Sequence, residues 1–200
     1  MTRFGILSTL LLLAVSASVK AETARPGMQN CIPGTSPEQR QECDNAVSQQ
    51  LKASTRTTVL DSGWRLVKTR DPGVGAETAS IMHAVDTAKS DFGLAGLSVR
   101  CGRERFEVVL IVLEPLARAS HPTVILTAGS RRSELEGAVG QSGEALLLPQ
   151  EASRLVADDW QQAAELSVEI AIKPNSVRGI VPIAGLPAAL RSLAPDCAFR

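Results

Sequence analysis

The pattern of apolar and polar positions changes character at Gly63. Residues 22–35 are rich in Gly, Pro and Thr and read as an extended arm. Ser36-Pro37-Glu38-Gln39 follows. A hydroxyl at the N-cap, Pro at the first helical position and Gln three residues after the cap together start a helix. The helix should run to about Lys52, with Ala46, Val47, Leu51 and Cys43 forming a modest apolar stripe. Ala53 to Ser62 is polar and reads as a linker.

Beyond Gly63 the pattern becomes strand-like. Trp64 to Thr69, Ala79 to Val85, Leu94 to Cys101, Arg105 to Leu113 and Thr123 to Ala128 each have the length and composition of a strand. The run Val108 to Leu113 is continuously apolar, which suits a strand buried on both faces. Cys101-Gly102-Arg103-Glu104 reads as a hairpin turn. Gly129 to Gly143 is polar and glycine-rich, a loop or weak hairpin, and Ala145 to Leu148 follows as a short strand. Gln150 to Ala163 places Ala152, Leu155, Val156, Trp160 and Ala163 on one helical face. Leu166 to Lys173 and Val177 to Ala184 are strands around a Pro174-Asn175 turn, and Pro187 to Leu193 is a final helix. The predicted fold is mainly β with helical decorations, a β-sandwich-like domain over residues 63–200. Residues 22–62 form the preceding arm, helix and linker.

The first 21 residues stand apart. Arg3 precedes an apolar run from Phe4 to Val15, and small residues lead to Val19-Lys20-Ala21. This is the plan of a secretory signal peptide cut after Ala21. The run is shorter than the roughly 20 apolar residues of a membrane span, and no later segment is long and apolar enough. Removing 21 of the 200 residues leaves 179, the size of one domain with a small appendage. Arg3 and Lys20 leave with the peptide, so 19 basic side chains face 21 acidic ones, a formal charge of −2. That balance offers nothing to nucleic acid or to an anionic membrane. Aromatic residues are 3 % of the chain, too few for the stacking platforms of single-strand grooves.

Export permits disulfides, and Cys31, Cys43, Cys101 and Cys197 all lie in the exported part. Four cysteines allow three pairings. The favoured one joins Cys31 to Cys43, pinning the arm to the helix, and Cys101 to Cys197, tying the chain end to a central strand. Neither spacing makes a redox CxxC or a zinc half-site. The two histidines, His83 and His121, sit at no metal-ligand spacing to a cysteine, and no cofactor or metal site is read. His83 reads as a strand residue on a solvated face and His121 as a loop residue before Pro122. Ser142 in Gly140-Gln141-Ser142-Gly143 lacks nucleophile-elbow spacing, and Gly73-x-Gly75 lacks the third glycine of a phosphate loop. Asp158-Asp159 and the pair Glu134 and Glu136 read as solvated carboxylates, and no catalytic set is assigned. Arg100, Arg103 and Arg105 flank one turn and are the candidate partner-binding residues.

The order of several short motifs resembles one family. Arg40-Gln41-Glu42-Cys43-Asp44-Asn45-Ala46-Val47 forms an Arg-x-x-Cys helix after an early cysteine, and Gly63-Trp64-Arg65-Leu66-Val67 opens the β-rich part. Leu97-Ser98-Val99-Arg100-Cys101, the strand from Leu166 to Ile172, and Ile183-Ala184-Gly185-Leu186-Pro187 ahead of Cys197 follow in turn. Together they resemble the VasI/TagO-type exported proteins associated with type VI secretion. The family's Ser-Pro plus Asp-Asp element is replaced here by Thr69-Arg70-Asp71-Pro72-Gly73, and its mid-domain Asp and Trp are missing from Ser130 to Gly143. The resemblance implies a periplasmic accessory protein that works by contacts with an envelope or secretion-system protein and carries no catalytic residues. An exported invasion-associated or host-contact protein, and an envelope hydrolase using His83 or His121 with a carboxylate, are the alternatives. The oligomeric state is left open.

Overall fold

The computed structural model describes residues 36–70, 77–172 and 175–197. The chain divides between Val47 and Ser48 into two compact units. The proposed signal peptide, Cys31 and the Gly73-x-Gly75 segment lie outside the described residues, as does Pro174 of the last hairpin turn.

Helix α1 spans Pro37–Ser54. Its start is the reciprocal box expected from the sequence. The Gln39 amide donates to Ser36 Oγ at 3.3 Å, and Gln39 Oε1 accepts from the Ser36 amide at 3.1 Å. Of the expected apolar stripe, Cys43 is half-buried and Ala46 exposed, while the side chains of Val47 and Leu51 are not among those described.

Eleven strands follow among the described residues. They are β1 (Thr55–Val59), β2 (Arg65–Arg70), β3 (Glu77–Ala84), β4 (Leu94–Cys101), β5 (Phe106–Val112), β6 (Thr123–Ala128), β7 (Arg131–Glu136), β8 (Ala138–Val139), β9 (Ala145–Leu147), β10 (Glu165–Ala171) and β11 (Ser176–Pro182). One sheet runs β1-β2-β3-β4-β5-β9-β8 and the other β11-β10-β6-β7. Every pairing is antiparallel. The fold is thus mainly β, two antiparallel sheets with helical additions, as the residue pattern predicts.

Period-two alternation assigns the faces. In β10, Leu166, Val168 and Ile170 are buried while Glu165, Ser167 and Ala171 are exposed. They share one core cluster with Val124 and Leu126 of β6 and with Ile81, Leu97, Val99 and Leu110 of the larger sheet. Helix α3 (Leu186–Leu193) adds Leu186, Ala189, Leu190 and Leu193 to this core, an i, i+3, i+4, i+7 face. Helix α2 (Gln150–Arg154) continues into a π-helical turn, Leu155–Asp159, closed by the Trp160 amide on the Leu155 carbonyl at 2.9 Å. The single helix expected over Gln150 to Ala163 is therefore shorter and wider at its end. The wider turn still buries Val156 and Trp160.

The expected linker is corrected at Thr55–Val59, which is a strand in continuous register with β2 from Thr55↔Thr69 to Val59↔Arg65. Four of its five residues are β-branched, a composition that favours extended backbone even without apolar character. The glycine-rich stretch from Gly129 holds β7 as the hairpin partner of β6, and Gly137 passes the chain from one sheet to β8 on the other.

Cys101 and Cys197 form a disulfide with Cα atoms 5.2 Å apart, as expected. Cys43 is not a free thiol, and its expected partner Cys31 is outside the described residues. A tight knot lies near this end of the fold. Trp64 is fully buried and donates from Nε1 to the Ala184 carbonyl at 3.0 Å. His83 meets the Trp64 ring edge-on. Its Nε2 lies 2.9 Å from the Ser62 carbonyl and its Nδ1 2.8 Å from that of Ala84. Gly63 adopts φ +83°, and a Cβ there would sit 2.7 Å from His83 Nε2.

Candidate functional site

The inner face of the seven-stranded sheet is covered by the second sheet and by α2 and α3. Its outer face carries a different set of side chains. Strand register aligns Thr57, Val67, Ser80, Arg100 and Glu107 in one row across five strands. Arg65, Met82, Ser98, Val109 and Leu147 form the next row. Strands β3 and β4 place the small serines Ser80 and Ser98 opposite Val67 and Val109 of their neighbours. The result is a trough of about 510 Å³ whose lining includes Ser80, Ser98 and Arg100.

Two features of this lining bear on chemistry. The first is an ion pair: Arg100 Nε donates to Glu107 Oε2 at 2.7 Å, directly across the β4–β5 pair. Among the described residues only Nε is engaged, so the two terminal nitrogens of the guanidinium have donors to offer above the sheet. The second is Ser98. Its side chain is on the trough side, 8 % exposed, and its hydroxyl has no partner among the described residues. Ser153, the other buried hydroxyl, behaves as buried hydroxyls usually do and donates to the Phe106 carbonyl. A ligand group entering the trough could hydrogen-bond this hydroxyl.

The three candidate arginines separate. Arg100 is in the trough. Arg103 and Arg105 line a second hollow of about 440 Å³ between the β4–β5 turn and the start of α2. There the Arg105 guanidinium is occupied. With the Gln150 amide turned to satisfy both groups, its oxygen accepts from Arg105 Nε and Nη2 at 2.7 Å each. Arg103 is exposed beside it. The turn itself forms as expected, closed by the Gly102 amide on the Arg105 carbonyl at 2.8 Å.

The other singled-out residues disperse. Both ring nitrogens of His83 are directed at backbone carbonyls in the knot rather than at a carboxylate or a hydroxyl side chain. His121 is exposed before β6. Ser142 accepts from the Glu144 amide at 3.3 Å in the loop before β9, at the rim of the trough. Asp159 pairs with Arg131 at 3.3 Å, and Glu134 and Glu136 are exposed on β7. Among the described residues no group of three His, Cys, Asp or Glu could hold a metal, and no helix is long and apolar enough to cross a membrane.

Residue-level reading reached Arg100 through its charge and missed Ser80 and Ser98. Alternation in Leu97-Ser98-Val99 marks Ser98 as outward-facing; only the register of β3 and β5 shows that outward here means the lining of a trough. No protein-family model, curated protein or solved structure matches the chain.

Proposed function

We propose that this chain is an exported periplasmic accessory protein of the VasI/TagO kind, and that it binds an envelope or secretion-system protein through the trough on its seven-stranded sheet. The observation that carries the trough assignment is Ser98, a nine-tenths-buried hydroxyl without a partner among the described residues, in the lining with Arg100. Arg100 is half-neutralised by Glu107 yet keeps donors to spare, which suits recognition of a polar group more than bulk charge attraction. The Cys101–Cys197 bridge is compatible with an oxidising compartment.

The test places a photo-reactive side chain at Ser80, in the trough, and at Arg132, on the far sheet, in cells making the full chain. Cross-linking from Ser80 to one envelope protein is expected, with none from Arg132. Arg100→Glu, which reverses the charge in the trough at an exposed position, should abolish it while leaving the chain folded. Recovery of the chain in the cytosol, or capture unaffected by Arg100→Glu, would overturn the proposal.

A further inference from the structure

The two sheets have four terminal strands, and three are closed to further pairing. Strand β11 is capped by the loop between β3 and β4. The amides of Asp86 and Asp91 donate to the carbonyls of Ile180 and Arg178 at 2.8 Å each. Ser90 Oγ and Asp91 Oδ2 accept the Ile180 and Arg178 amides in return. The loop is clamped by Lys89 on Glu165 at 2.6 Å, a hydrogen bond and charge that raise the Lys89 pKa above its ordinary value. Strand β7 carries Arg131, Arg132, Glu134 and Glu136 in six residues, the charged guard typical of an edge. Strand β8 has two residues.

Among the described residues strand β1 has no capping loop, and Arg56 is its single charged side chain. The strand is terminal in its sheet, runs without a bulge or proline, and is Thr-Arg-Thr-Thr-Val. All but Thr55 are exposed, Val59 by 74 %. Such a strand is a template for an added one. We infer that β1 accepts an extended acidic segment of a partner protein as an added strand of the larger sheet. The charge argument comes from Arg56. It has no ion-pair partner among the described residues, whereas Lys68, directly opposite it in β2, and Arg70 pair with Asp196 and Glu77. An acidic side chain opposite Arg56 would be a favourable cross-strand pair. A second copy fits less well. Antiparallel self-pairing about Thr57 sets Arg56 diagonally across from its own counterpart on the same face, where like charges repel.

The experiment titrates the full chain with synthetic heptapeptides of alternating Thr and Val that carry either Glu or Lys at the centre. The Glu peptide should bind roughly tenfold more tightly at low salt and should slow amide exchange within Thr55–Val59. Backbone N-methylation of that peptide should abolish binding, and Arg56→Glu should reverse the preference in favour of the Lys peptide. Arg100→Glu should change nothing, which separates this edge from the trough. Equal binding of the two peptides, protection outside Thr55–Val59, dependence on Arg100, or self-association of the free chain through β1 would each overturn the inference.

Discussion

Ser98 and Ser153 make a matched pair at the scale of single residues. Each is 8 % exposed, and among the described residues only Ser153 has a partner for its hydroxyl. Ser98 lines the open trough, so Ser98→Ala should change stability by less than about 0.5 kcal/mol, while Ser153→Ala should lower it by about 1 kcal/mol. Urea unfolding of the two variants beside the parent chain checks both. A loss of stability in Ser98→Ala would mean that its hydroxyl is bonded in the free protein, and the trough would then lose its main mark as a binding site. The same serine shows why the site was only half legible. A charged side chain such as Arg100 announces itself in any sequence. A serine between leucine and valine looks like ordinary strand alternation, and its burial depends on Met82 and Val109, its opposite numbers in β3 and β5.

Elements were legible where burial enforces a period. Strands β4, β5, β6 and β10 and helix α3 pack against the core, so their apolar positions had to repeat at two or at three and four. Strands β1 and β7 were not, for one shared reason. Both are terminal, and side chains that face water need no apolar alternation. In β1 the remaining signal was β-branching at Thr55, Thr57, Thr58 and Val59, which polarity masks. Helix α1 was read from its cap rather than its weak stripe, and that cap can be tested directly. Ser36→Ala removes the acceptor of the Gln39 amide and should cost the helix about 1 kcal/mol. Faster amide exchange in its first turn, with the sandwich core unchanged, is the expected readout. Unchanged exchange there would show that the reciprocal box contributes nothing.

For the whole molecule, the question is what holds the end of the chain to the sheet. Helix α3 buries one face, and the turn after it is linked to β2 by Lys68 on Asp196, a pair at 2.6 Å that remains part-exposed. Such a pair is worth no more than about 1 kcal/mol. The Cys101–Cys197 bridge is of another order, because it closes a loop across a sequence separation of 96 residues. In the chain-entropy account that restricts the unfolded chain by roughly 4–5 kcal/mol. It acts in the folded state as well, since α3 follows the Ala184 carbonyl that accepts from Trp64 and precedes Cys197. The double variant Cys101→Ala/Cys197→Ala should therefore lose roughly 3–5 kcal/mol in denaturant unfolding. The loss should not be uniform. Amides of α3 should exchange earlier than those of β4 and β10, because α3 has one buried face where the central strands have partners on both sides. Lys68→Ala in the same background should add little. If the double variant unfolds within about 1 kcal/mol of the parent, apolar burial alone holds α3, and the disulfide does not support the fold.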